Sequence, residues 1–199
     1  MRFRRPSFRL IAPLAAVASV FTAITASNAG AQQYFGQNQV QYQEFNWQVI
    51  KTEHFDVHYY PSMTEGARIA ARMAERSYAR LSRLMGYQFK ERKPIVLFAS
   101  RGDFAQNNVT GDLGEGTGGA TDALRQRNMF FFGQDLAEVE HVMTHEMVHQ
   151  FQFDIKFRGR TGGAGQLGQG SQEPLWFIEG MAEYLSVGPD HPATDDRVR

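Results

Sequence analysis

The chain has 199 residues, of which 42% are apolar and 13% aromatic, with 21 basic side chains against 21 acidic ones and no cysteine. That composition suits a globular domain with a real core and excludes a disordered chain, while the missing cysteine excludes a disulfide framework, a thiolate metal site and a lipoprotein anchor. Four of the arginines crowd the first nine positions; without them 17 basic residues face 21 acidic ones, which leaves no electrostatic footprint for nucleic acid or anionic lipid.

Those arginines, Arg2, Arg4, Arg5 and Arg9, precede an uncharged apolar run from Leu10 to Ile24 and the small residues Ser27 to Ala31. This is the layout of a signal peptide cut after Ala31. The apolar run is shorter than the roughly 20 residues that span a bilayer. Residues 1–31 are therefore expected to be removed, leaving no stable membrane span and an exported product: periplasmic, cell-surface or extracellular. Residues 32–46, rich in Gln and Asn without a sustained apolar period, read as an extended segment.

From Trp47 the pattern changes. Trp47 to Ile50, a polar break, then Phe55, Val57 and Tyr59 alternating with Asp56, His58 and Tyr60 predict a β-hairpin. Ser62 and Glu65 have capping-box spacing, and Ile69, Met73, Ser77, Leu81 and Leu84 carry a helical period that Gly86 ends. Ile95 to Phe98 is short enough for a buried strand, and Asn128 to Phe132 reads as another. Between them Gly111 to Gly119 lacks the Lys-Ser/Thr of a phosphate loop and reads as a surface loop, whose glycines beside an edge strand would let a substrate backbone come close. Gly159 to Gly170 reads as a second loop. Strands and one helix followed by helices make an α+β fold.

The next helix carries the chemistry. Asp135 and Glu138 have cap spacing, and Leu136, Val139, Val142, Met143, Met147, Val148 and Phe151 continue a helical period around His145-Glu146-Met147-Val148-His149. Histidines four apart share a helical face, so His145 and His149 can present ring nitrogens to one zinc ion. Glu146 is rotated by about 100° from His145 and suits a general base acting on water. Gln152 and Ile155 stand where a metzincin would have Gly and His, which excludes that branch. Downstream, Pro174 opens a helix-compatible segment in which Glu179 and Glu183 share a face; a cation explains two glutamates on one face of an apolar helix, and a solvated stripe is the plainer alternative.

The segment Trp176-Phe177-Ile178-Glu179-Gly180-Met181-Ala182-Glu183-Tyr184 resembles the W-L-N-E-G-F-A stretch of zinc aminopeptidases. Together with His141 to Asp154, it makes the chain similar to the gluzincin group, and within it to peptidase MA-like domains of secreted bacterial proteins. Two departures stand out: 30 residues separate His149 from Glu179, and Ile178 replaces the usual Asn. The resemblance implies a zincin-like domain over 47–188, with a small mixed or antiparallel sheet packed on the HExxH helix and on a second helix bearing a glutamate ligand. It implies zinc held by His145, His149 and Glu179, Glu146 as the base that activates water for peptide hydrolysis, and Glu183 holding His145 from behind. It also implies that the strand beside the active helix pairs with a peptide or protein substrate, which points to Asn128, Met129 and Phe130. Such domains often precede TolB-like β-propeller repeats, so residues 189–199 read as a cut-off tail with a missing C-terminal propeller. A non-catalytic module in which zinc only locks two helices together is the competing reading, and an intact Glu146 argues against it. His141 is expected at the surface or behind the ligands, and His54, His58 and His191 as ordinary histidines.

Overall fold

The computed structural model describes residues 41–107, 109, 118–123, 125–133, 135–157 and 173–188. The expected leader, most of the extended segment, both glycine-rich loops apart from Gly118 and Gly119, His191 and the tail lie outside the described residues.

Strands β1 (Gln48–Lys51) and β2 (Phe55–Tyr59) form the expected antiparallel hairpin, with Gln48 opposite Tyr59. A 3-10 turn, Pro61–Met63, leads into helix α1 (Thr64–Met85), which Gly86 ends in a left-handed conformation at φ 59°. The expected capping pair does not form. Ser62 lies within the 3-10 turn, the Thr64 hydroxyl donates to the Pro61 carbonyl at 2.9 Å, and Glu65 pairs with Arg68 instead. Then follow β3 (Lys93–Phe98), the short α2 (Arg101–Ala105), β4 (Gly119–Asp122), β5 (Arg127–Phe131), α3 (Leu136–Phe157) and α4 (Leu175–Val187). Asp135 caps α3 by accepting from the Ala137 amide at 2.8 Å. None of the helices among the described residues is long and apolar enough to cross a membrane.

The five strands form one mixed sheet in the order β1-β2-β3-β5-β4, parallel at β2/β3 and β3/β5 and antiparallel at both ends. Period-2 alternation sorts its residues between two cores. Phe55, Val57, Ile95, Leu97 and Phe130 join Met143, Met147, Val148 and Phe151 of α3 and the alanine-rich face of α1. Phe98 and Met129 face the other way and pack with Phe104 of α2. The architecture is thus mixed α/β, with α1 and α3 on one face of the sheet.

Two polar contacts fix α3 within this core. The Ser77 and Thr144 hydroxyls meet at 2.9 Å between α1 and α3. Below the helix's last turn, Lys93 donates to Asp154 at 2.5 Å and also to Gln126, while the Tyr87 hydroxyl donates to the other Asp154 oxygen at 2.9 Å. Burial and this Asp154 contact push the Tyr87 hydroxyl up to about 12, so it remains a donor. The Lys93–Asp154 pair is almost wholly buried, and removing one partner would strand the other charge away from water. Lys93→Met should therefore cost about 3–5 kcal/mol of unfolding free energy, read by urea denaturation; a loss below about 1 kcal/mol would mean that the pair is well hydrated.

Candidate active site

The HExxH residues occupy the middle of α3, flanked by the buried Met143, Met147, Val148 and Phe151 that hold the helix on the sheet. His149 is buried and His145 half-buried, while Glu179 on α4 is half exposed. The three converge: His149 Nε2 lies 3.1 Å from His145 Nε2, and Glu179 Oε2 lies 3.3 Å from His145 Nε2 and 3.4 Å from His149 Nε2. Helical spacing explains the two histidines. The glutamate arrives because α4 packs along α3, with Ala182 in the shared core.

The other ring nitrogens are engaged too. Glu183 Oε2 sits 3.3 Å from His145 Nδ1 and 3.2 Å from His141 Nε2, so His141 stands behind the cluster with its partner on α4. Gln152 Oε1 sits 2.9 Å from His149 Nδ1. Acceptors opposite both Nδ1 atoms place the proton there in neutral rings, which turns both Nε2 lone pairs inward, toward each other and a carboxylate. Three acceptors then face one point with no donor among them. A proton or a cation must lie between them for the arrangement to be stable.

Glu146 leans the other way, toward the sheet. The Thr121 hydroxyl on β4 lies 2.5 Å from Glu146 Oε2. Burial pushes the Glu146 carboxyl above its usual range, opposed by the Thr121 hydrogen bond and by the neighbouring His149 and His145. Glycine makes the approach of β4 possible: a Cβ at Gly119 would stand 2.9 Å from Val142 Cγ1 and 3.0 Å from Glu146 Cγ. His145, Glu146, His149, Glu179 and Thr121 line one cleft of about 640 Å³, whose other walls include Met85, Phe153, Leu175, Phe177 and Met181.

Residues 125–197, just over a third of the chain, match the family described as Peptidase of plants and bacteria. That stretch contains the whole HExxH motif and both α4 glutamates, and the match supports a peptidase-like domain. No curated protein and no solved structure matches the chain.

One expectation is corrected. Asn128, Met129 and Phe130 do not form an edge strand, because β5 is paired on both sides, with β3 and with β4, and all three side chains are buried. The edge beside α3 is β4, and Thr121, not these residues, lines the cleft. Asn128 lies behind Thr121, its carboxamide oxygen 3.3 Å from the hydroxyl. Sequence reasoning missed Thr121 and Gln152 as site residues. Gln152 carried a signal in its position three residues beyond His149, on the same helical face; Thr121 carried none, since it reaches Glu146 only through sheet pairing. His54 and His58 lie away from the site: His54 stacks on Tyr78 and bonds Glu75, and His58 lines a different cleft.

Gly119→Ala should press a methyl into Val142 and Glu146, costing about 1–3 kcal/mol of stability through overpacking. Thermal unfolding beside Gly102→Ala, whose added Cβ has only the Ser100 hydroxyl within 4 Å, at 3.7 Å, checks this; equal melting temperatures would mean that β4 does not pack so closely.

Proposed function

We propose that the chain is a zinc-dependent peptidase of the zincin-like, gluzincin type, acting outside the cytoplasm. The observation that carries the reading is the convergence of three lone-pair acceptors from two helices beside the Glu146 carboxylate in one cleft. Two imidazoles and a carboxylate are the donor set of many catalytic zinc sites, and the three separations match the ~3.3 Å edge of a tetrahedron with ~2.0 Å bonds. His145, His149 and Glu179 would hold the ion, which when bound supplies Lewis acidity to the scissile carbonyl and lowers the pKa of water.

The rest belongs to the protein's own groups. Glu146 takes a proton from the attacking water and passes it to the leaving amine. Its raised proton affinity suits a group that must both accept and return a proton. Thr121 holds the carboxylate in place from the sheet, and Glu183 fixes the His145 ring through Nδ1. A substrate backbone lies along the β4 edge of the sheet, the role first expected of Asn128, Met129 and Phe130, and the apolar walls at Met85, Phe153, Phe177 and Met181 accept an apolar side chain.

Purified residues 32–199 should contain zinc near one equivalent by elemental analysis, and Glu179→Ala should lose most of it. Glu146→Ala should keep the zinc and lose about 10²–10⁴-fold in cleavage of a mixed peptide pool. Zinc without cleavage in the wild type would favour a binding module, and folded protein that takes up no zinc would sink the site. Thr121→Val, which keeps the shape of the side chain, should lower kcat by about tenfold with KM and zinc content unchanged, while Thr121→Ser restores it; an unaltered kcat in Thr121→Val would remove the hydroxyl from the mechanism.

A further inference from the structure

Gln152 does two things with one side chain. Its Oε1 accepts from His149 Nδ1 at 2.9 Å, and its Nε2 donates to the Ile178 carbonyl at 3.1 Å. The amide has one workable orientation, because Ile178 O can only accept and therefore takes the NH2 end, which turns the oxygen to the imidazole. His149 is thereby held with its proton on Nδ1 and its Nε2 lone pair toward Glu179. Ile178 immediately precedes Glu179, so the same amide ties the backbone that carries the third acceptor to the helix that carries the first two. Glu183 makes the matching contact for His145, but it reaches across from α4, whereas Gln152 reaches from α3.

We infer that Gln152 is a positioning residue of the metal site, selecting the metal-binding tautomer of His149 and registering the Glu179 helix against α3 through a single carboxamide. This rests on the metal reading above. An apolar side chain of the same length would leave the His149 proton free to move to Nε2, where it blocks the ligand atom, and would remove the bond that Gln152 makes to the Ile178 carbonyl. A carboxylate would keep the acceptor for Nδ1–H but set a second acceptor against the Ile178 carbonyl, breaking the tie to α4.

The test uses the exported chain, residues 32–199, as wild type, Gln152→Met and Gln152→Glu. Zinc affinity is measured by competition with a chromophoric chelator, and the His149 tautomer by ring-nitrogen NMR of the metal-free protein, with thermal unfolding alongside. The wild type should show the Nδ1-protonated ring. Gln152→Met should shift it toward the mixture of an unconstrained imidazole and weaken zinc binding by about tenfold or more. Gln152→Glu should keep the wild-type ring signature, a separation that a purely packing role for Gln152 would not produce. Wild-type zinc affinity and an unchanged ring signature in Gln152→Met would overturn the inference and leave the metal site standing. A wild type that binds no zinc would overturn the metal reading, and the inference with it.

Discussion

Everything at this site depends on one helix meeting two demands at once. α3 buries Met143, Met147, Val148 and Phe151 against the sheet and α1, and it presents two imidazoles and a carboxylate to the cleft between α4 and β4. A rigid backbone is what makes the second demand feasible: ring nitrogens one turn apart can meet at 3.1 Å only if the turn that separates them does not move. The buried Lys93–Asp154 pair and the Ser77–Thr144 contact fasten that helix at two levels, one near its end and one just ahead of the motif.

Around this helix the neighbours contribute specific atoms rather than bulk. From α4 come Glu179 on the cleft side and Glu183 behind it, four residues apart, so one packed helix meets both His145 nitrogens from opposite directions. From β4 comes Thr121, held against Glu146 because Gly119 has no side chain to keep the strand away. Both Nδ1 atoms of the motif histidines thus have acceptors, while at the inner point three acceptors face one another. That single imbalance is the chemical content of the site: a protein interior tolerates converging lone pairs only where a positive species completes them.

Burial also separates the two carboxylates. Glu146, partly buried against the sheet with a hydroxyl donor, has its proton affinity raised. Glu179 is half exposed and faces two imidazoles. Side chains of the same chemistry on two helices thereby meet different surroundings.

Much of this was legible in the sequence, because helical period is a local property. The spacing of His145 and His149, the shared face of Glu179 and Glu183, the hairpin at β1 and β2 and the Gly86 stop all follow from positions within one element. Which strand stands at the edge was decided elsewhere. Residues 127–131 look like any half-apolar strand, and only the insertion of β5 between β3 and β4 buries Asn128, Met129 and Phe130 and leaves the short, glycine-started β4 beside the active helix. Thr121 and Gln152 were likewise settled by the tertiary structure, since a hydroxyl or a carboxamide acquires a role only from the partner it meets. Sequence periodicity specifies which way a side chain faces; the order in which elements pack specifies what is waiting there.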